Sequence, residues 1–321
     1  MLLSKTPLRI SFVGGGTDYF NNKSNLRGRV IATTINKYMY VALNKKYNNE
    51  CRVSYSVTEN VKNVNSIKHN IIRESLRLFK IKNGIELTTI ADIPSSGSGL
   101  ASSSALAVGL SNVLNKFQGN YVSKKKIAEQ ACEIEIKKCK KPIGMQDQYS
   151  TAFGGLNKIE FYNNKVFVER IDLSKNTLLE FNKHLLLFYT NISRKADKIL
   201  LKIKKSGNQF KHFDKLSKLC LNFEKELLSK NFINCGKILH EGWVLKKQLN
   251  QSVSSLNLDQ MYNDAIDAGA TGGKILGAGG GGYFLFLVEP KYKKNVIKSL
   301  KKLQYINFNF TDEGSQVFKI D

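Results

Sequence analysis

The chain has 321 residues, 42% of them hydrophobic and 24% charged, and carries 50 Lys and Arg against 26 Asp and Glu, a net charge of +24. That length can bury a large core and predicts two domains, while no uninterrupted apolar run approaches the roughly 18 residues of a membrane span. The basic balance admits a nucleic acid or another polyanion as partner, but the lysines are spread along predicted polar helix faces such as SKKKIAEQ and YKKNVIKSLKKL. No run of five or six basic residues and no RNA-recognition signature accompanies them. They read as a lysine-rich solvated surface or as attraction for a phosphorylated small substrate. The five cysteines (51, 132, 139, 220, 235) contain no CxxC pair, and MLLSKTPLRISFVGGG has no signal-peptide pattern, so a reduced cytoplasmic protein is expected.

Residues 7–14, PLRISFVG, alternate as a strand and run into GGGTDY. KYMYVALN (37–44) and CRVSYSV (51–57) are further strands, rich in β-branched and aromatic residues. In SIKHNIIRESLRLFK (66–80), Ile71, Ile72, Ser75, Leu76 and Phe79 share one helical face. GIELTTIADIP (84–94) is a strand closed by Pro94. After it comes IPSSGSGLASSSAL (93–106), and then Leu106, Leu110, Val113, Leu114 and Phe117 mark an amphipathic helix. The order strand, Gly/Ser turn, helix disfavours a floppy linker. A helix beginning near Ser102–Ser104 directs its unpaired first amides and its dipole at the turn, which suits a phosphate. Neither familiar phosphate motif fits. The position of the first P-loop glycine is Ala268, and the GxGxxG string at Gly277–Gly282 leads into the strand-like YFLFLV instead of a helix.

SKKKIAEQACEIEIKKC (123–139) predicts a second helix capped by Ser123, with Glu135 on the stripe that carries Ile127, Ala128, Ala131 and Cys132. A carboxylate there is salt-bridged, hydrogen-bonded or metal-bound, because an uncompensated buried charge costs several kcal/mol, roughly. In PIGMQDQYSTAFGG (142–155), Asp147 sits in a Gly-bounded turn and reads first as a turn or cap residue, second as a catalyst. NKIEFYNNKVFVERI (157–171) is a hairpin turning at Asn163–Asn164. Beyond residues 172–184 the composition shifts. A strand (HLLLFYTN), helices around 195–205, 214–229, 232–249 and 256–268, the unit KILGAGGGGYFLFLV (274–288), a helix at 291–303 and the strands YINFNF and QVFKI follow.

Three separated segments, taken together, resemble the three motifs of the GHMP kinases, the superfamily of galactokinase, homoserine kinase, mevalonate kinase and phosphomevalonate kinase. They are PLRISFVGGGTDY, IPSSGSGLASSSAL and KILGAGGGGYFLFL, and the likeness spans nearly the whole chain. The resemblance implies an α+β fold of two domains: a ribosomal-protein-S5-like N-terminal ATP-binding domain (1–172) and a ferredoxin-like C-terminal domain (173–321), with the active site between them. GGGTDY, IGMQDQYSTAFGG, TNISRKADKIL and HEGWVLKKQL are similar to segments of the bacterial D-glycero-D-manno-heptose 7-phosphate kinases. Those transfer a phosphoryl group from ATP to the anomeric C1 hydroxyl, giving a 1,7-bisphosphate that leads to nucleotide-activated heptose for surface polysaccharide. A fucokinase-like or galactokinase-like sugar 1-kinase is the alternative within the superfamily, and an RNA-binding module is the alternative outside it.

By the same resemblance, Asp147 is the general base or charge stabiliser and Arg9 its basic partner. Ser103 and Glu135 are the Mg²⁺ ligands. Pro94, Ser95, Ser96, Gly97, Ser98, Gly99, Leu100, Ala101, Ser102, Ser103 and Ser104 form the ATP phosphate loop. Gly16, Thr17, Asp18, Gly279 and Gly280 face the sugar, and Arg194, with Lys195, Lys246 and Lys247, is the candidate for its phosphate. An exposed basic helix face is the alternative for those four. Gly15 and Gly16 stand where galactokinases carry a Glu-His pair, so hexose contacts made by that pair do not transfer. ATP and Mg²⁺ are the expected cofactors, a small sugar phosphate the expected partner, and neither nucleic acid nor membrane is expected.

Overall fold

A computed structural model of the protein describes residues 1–18, 27–94, 97–192, 196–205 and 209–320. The first half contains β1 (Leu2–Val13), β2 (Gly28–Lys45), β3 (Cys51–Ser54), β4 (Thr58–Val61), α1 (Asn70–Leu78), β5 (Ile85–Ala91), α2 (Ser102–Phe117), α3 (Lys124–Cys132), α4 (Gln146–Phe153), β6 (Asn157–Tyr162) and β7 (Lys165–Arg170). The second contains α5 (Lys175–Lys183), β8 (Leu185–Tyr189), α6 (Ala196–Lys205), α7 (Gln209–Leu228), α8 (Phe232–Leu249), α9 (Leu256–Asp267), β9 (Ala270–Ile275), β10 (Tyr283–Val288), α10 (Lys293–Ser299), β11 (Gln304–Ile306), β12 (Phe310–Thr311) and β13 (Gln316–Lys319). The expected α+β class and most elements are present.

The large sheet runs β13-β1-β2-β5-β3-β4, with β6, β7 and β12 attached through β2. The smaller runs β11-β8-β10-β9. Antiparallel pairing prevails, and β3–β5 is the one parallel pair among the described strands. The last two strands of the chain return to the first sheet, β13 beside β1 and β12 beside β2.

β1 is enclosed on both faces. Leu8, Ile10 and Phe12 enter the core, while α2 packs over β1 and β2. The two halves meet through aromatic rings: Phe12 lies 5.4 Å from Phe181 and 5.4 Å from Phe223. Such pairs add about 0.5–1.5 kcal/mol each beyond their buried area. The second half of β1, which carries Arg9 as well as Phe12, is thereby fixed against both halves.

Four sequence expectations need correction. The helix read at 66–80 starts only at Asn70, where the His69 ring accepts the amide of Ile72 as a cap. The helix read at 123–139 changes after Cys132 into a π-helical turn, Glu133–Lys138, closed by Cys139 N–H donating to the Ile134 carbonyl at 2.9 Å. The helix read at 291–303 is α10 alone, preceded by a 3₁₀ turn that begins at Pro290. Asp147, read in a Gly-bounded turn, lies in the first turn of α4, one residue inside the helix and not at its cap, which is Met145; there the helix dipole favours a carboxylate. The hairpin turn was read correctly: Asn163 and Asn164 have φ of 49° and 58°, the left-handed pair that a tight two-residue turn requires.

Candidate active site

Alternation along β1 sends Arg9 and Ser11 to the same side, away from Ile10 and Phe12. There a cavity of about 470 Å³ opens among β1, the loop preceding α2, the start of α4 and the β9–β10 loop. Its two chemical centres each combine residues far apart in sequence.

The first centre is an ion pair. Arg9 Nε donates to Asp147 Oδ1 at 2.9 Å and its Nη2 stands 2.7 Å from the same oxygen. Arg9 Nη1 donates to the Gly99 carbonyl at 2.6 Å. The guanidinium is buried and therefore rigid, whereas Asp147 keeps 26% of its side chain exposed toward the cavity. Its second carboxylate oxygen is the one placed to meet a ligand.

The second centre is Glu135, which has no exposed surface. Its Oε1 accepts from Ser103 Oγ at 2.5 Å and from Lys141 Nζ at 2.9 Å. Its Oε2 accepts from Ser104 Oγ at 2.6 Å and from Gln148 Nε2 at 2.6 Å. Hydrogen bonds to a charged group contribute about 1.5–3 kcal/mol each. Four of them outweigh the poorer ladder of the π turn that brings the carboxylate beneath α2. Ser103 and Lys141 line the cavity; Glu135 sits behind them.

The loop between β5 and α2 is built for close approach. Ala101 has a left-handed φ of 65° just before the first turn of α2. Gly99 has φ +78°, and a Cβ there would lie 2.4 Å from the Leu276 carbonyl. The glycine turn after β9 is thus pressed directly on the phosphate-loop candidate. Gly97, Ser98, Gly99, Ala101 and Ser102–Ser104 all reach the cavity. A helix N-terminus flanked by small residues and hydroxyls fits a polyphosphate.

Asp18 is held against the start of α4. Its Oδ2 accepts the Gln146 amide at 2.9 Å and its Oδ1 accepts Gln146 Nε2 at 3.1 Å. Burial raises its pKa from 3.8 to about 6, and the negative charge of Asp147 adds to the rise against the hydrogen bond from Gln146. Gly144 makes room for it, since a Cβ at 144 would lie 2.0 Å from Asp18 Oδ2. Gly16 also lines the cavity.

Other candidates fall elsewhere. Thr17 bonds the backbone of Arg29, donating to its carbonyl at 2.8 Å. Leu100 is core, and Pro94 is exposed outside the cavity. Gly279 and Gly280 pack on Val253, with the Gly280 amide donating to its carbonyl at 2.6 Å. Lys246 lines the cavity, while Lys247 pairs with Asp259 at 3.0 Å. Ser95, Ser96, Arg194 and Lys195 lie outside the described residues.

Reading the sequence missed Lys141, Gln146 and Lys274, which line the cavity, and Gln148, which is buried behind it and donates to Glu135. Lys274, buried in β9, donates to the Phe12 carbonyl at 2.9 Å and lines the cavity. Burial, with repulsion from Arg9, lowers its pKa from 10.5 to about 7. Its signal was a lone cation in the otherwise apolar KILGAGGGGYFLFLV.

Ser103 and Glu135 offer two hard oxygens of the kind Mg²⁺ takes. No group of three or more His, Cys, Asp or Glu able to hold a metal occurs among the described residues. The donor set therefore fits a magnesium ion that keeps water and nucleotide oxygens in most of its shell. No helix among the described residues is long and apolar enough to cross a membrane.

Comparison with known proteins follows the same outline. Residues 65–155 match the GHMP kinases N terminal domain and residues 223–306 the GHMP kinases C terminal family. A D-glycero-alpha-D-manno-heptose 7-phosphate kinase from Campylobacter jejuni is 33% identical over 340 residues, covering 99% of this chain and 98% of its own length. A galactokinase from Pyrococcus furiosus is 25% identical over 331 residues, covering 91% of this chain and 90% of its own. A crystal structure of a D-glycero-D-manno-heptose 1-phosphate kinase from Bacteroides thetaiotaomicron superposes with a TM-score of 0.81, at 24% identity over 100% of both chains; it shows the shared two-domain fold.

Proposed function

From a chain that belongs to the GHMP kinase family and is an ATP-dependent sugar kinase, we propose transfer of the γ-phosphoryl group of ATP to the anomeric C1 hydroxyl of D-glycero-D-manno-heptose 7-phosphate. The products are ADP and the 1,7-bisphosphate. The observation that carries this reading is the meeting of the Arg9–Asp147 pair, the Ser103–Glu135 pair and the loop 97–104 around one cavity. The full-length likeness to a kinase named for a heptose 7-phosphate supports the sugar.

Phosphoryl transfer needs in-line alignment and charge compensation more than covalent help from the protein. The α2 N-terminus and the serines of its first turn would hold the triphosphate. Asp147 would accept the C1 hydroxyl proton on its cavity-facing oxygen as the O–P bond forms and the bond to ADP breaks. Arg9 fixes that carboxylate and places positive charge beside the moving phosphoryl group. Asp18 would accept a hydrogen bond from a sugar hydroxyl. Lys246, the one member of the four-residue candidate set that lines the cavity among the described residues, would face the sugar's own phosphate. Ser103 and Glu135 would hold Mg²⁺, which when bound offsets charge on the β- and γ-phosphate oxygens.

Mass spectrometry and ³¹P NMR of the product from heptose 7-phosphate and ATP test the proposal. A bisphosphate with an anomeric phosphate is expected. Preferential turnover of an unphosphorylated hexose such as L-fucose or galactose, or phosphate placed on another hydroxyl, overturns it.

A further inference from the structure

Glu135 does not itself line the cavity: its Oε1 is covered by the Ser103 hydroxyl and the Lys141 ammonium, and its Oε2 by Ser104 and Gln148. Lys141 Nζ is 2.9 Å from Ser103 Oγ and 2.9 Å from Glu135 Oε1, so it bridges the two oxygens assigned above to the metal. Its backbone is tied at the same place, Lys141 N–H donating to the Glu135 carbonyl at 3.0 Å. Its side chain keeps 22% exposure, against none for Glu135, so the long stem comes in from the cavity rim.

We propose that Lys141 is the resident counter-cation of this site, holding the Ser103–Glu135 clip closed in the metal-free protein and yielding its place when a divalent cation arrives with the nucleotide. The inference rests on the metal assignment made above.

Three physical points carry it. A buried carboxylate without a cation is strongly unfavourable, and Lys141 is the cation within ion-pair distance of Glu135 among the described residues. Magnesium takes oxygens at about 2.0–2.1 Å, so it cannot share Oε1 and Ser103 Oγ with an ammonium in contact with both. Lysine is a mobile point charge with three rotatable donors, able to move from the carboxylate to a nucleotide phosphate oxygen a few ångströms away. Lys141 is therefore a positioning residue: it acts on the site through Glu135 and Ser103. Because its withdrawal is rewarded only when phosphate is present, the bare ion should bind poorly and the metal–nucleotide complex well.

The test uses the full chain and Mn²⁺ alone as probe, its affinity read by electron paramagnetic resonance without nucleotide. Lys141→Met should bind Mn²⁺ at least tenfold more tightly than the parent protein. Its metal-free melting temperature should be lower, and saturating Mn²⁺ should restore more of the loss than it adds to the parent. Lys141→Arg, which keeps the charge, should stay close to the parent in Mn²⁺ affinity. If Lys141→Met does not fold, Lys141→Gln, neutral and still able to donate to both oxygens, is read the same way. Unchanged or weaker Mn²⁺ binding in the neutral variants overturns the role of Lys141. Mn²⁺ binding that survives Glu135→Gln in a Lys141→Met background shows instead that the metal assignment is at fault, and the inference falls with it.

Discussion

Replacing Asp147 with Asn is the sharpest perturbation of the proposed chemistry, because the structure separates geometry from charge at this residue. Arg9 Nε and Nη2 both reach Oδ1, at 2.9 and 2.7 Å. The amide oxygen of Asn can stay in that position and keep accepting, while Arg9 Nη1 retains its bond to the Gly99 carbonyl. Framework hydrogen bonding therefore survives in kind, and the expected stability loss is about 1–2 kcal/mol, a melting shift of a few degrees. What disappears is the negative, proton-accepting oxygen on the cavity side. A positioned general base contributes about 10²–10⁴-fold, or roughly 3–5 kcal/mol at 1.36 kcal/mol per tenfold. Coupled ADP release at saturating heptose 7-phosphate and ATP should show kcat reduced by that range. A second readout does not depend on turnover: the charge of Asp147 helps hold the Asp18 pKa up at about 6, so its removal should lower the Asp18 midpoint measured by carboxyl-carbon NMR. A folded Asp147→Asn protein with kcat within tenfold of the parent would refute the base assignment. An unmoved Asp18 midpoint would refute the shared electrostatic site.

The pKa of Asp18, raised from 3.8 to about 6, corresponds to about 3 kcal/mol of stability that is fully present below pH 3.8 and lost as pH rises to about 6. Asp18→Asn should flatten that decline in urea melts, partly offset by the loss of an acceptor for Gln146, while sugar turnover falls sharply. A variant that keeps the wild-type slope would assign it to another group. Lys274 has the opposite sign: with its pKa lowered from 10.5 to about 7, a contribution of about 5 kcal/mol is complete above pH 10.5 and lost as pH falls to about 7. Lys274→Met should abolish this dependence, and an unchanged rise between pH 7 and 10 would speak against it. Gly144→Ala would drive a methyl group to within 2.0 Å of Asp18 Oδ2, a carboxylate pinned by Gln146. A loss of about 1–3 kcal/mol and a KM for sugar raised about tenfold with ATP KM little changed are expected; parent-like sugar KM would show that Asp18 does not hold the sugar.

Local order was legible in the residues themselves. Strand alternation in PLRISFVG, the Gly/Ser turn running into an apolar helical repeat, the Asn163–Asn164 turn and the lone carboxylate on an apolar stripe each state a near-neighbour preference, and near neighbours are fixed by covalent spacing. Resemblance of the three motifs then pointed to Arg9, Asp147, Ser103 and Glu135, which the fold does bring around one cavity. The lysines were another matter. Lys141 in KKCKKPIG looks like any solvated cation of a chain with 50 Lys and Arg, yet it grips a buried acid, and Lys274 tethers β9 to β1. Gly279 and Gly280 carry the motif but pack on Val253. Such outcomes depend on which surfaces meet across scores of residues. A charge has the same letters in water and in a cleft, and only the packing of α2, the π turn and the two sheets decides which of the two it will occupy.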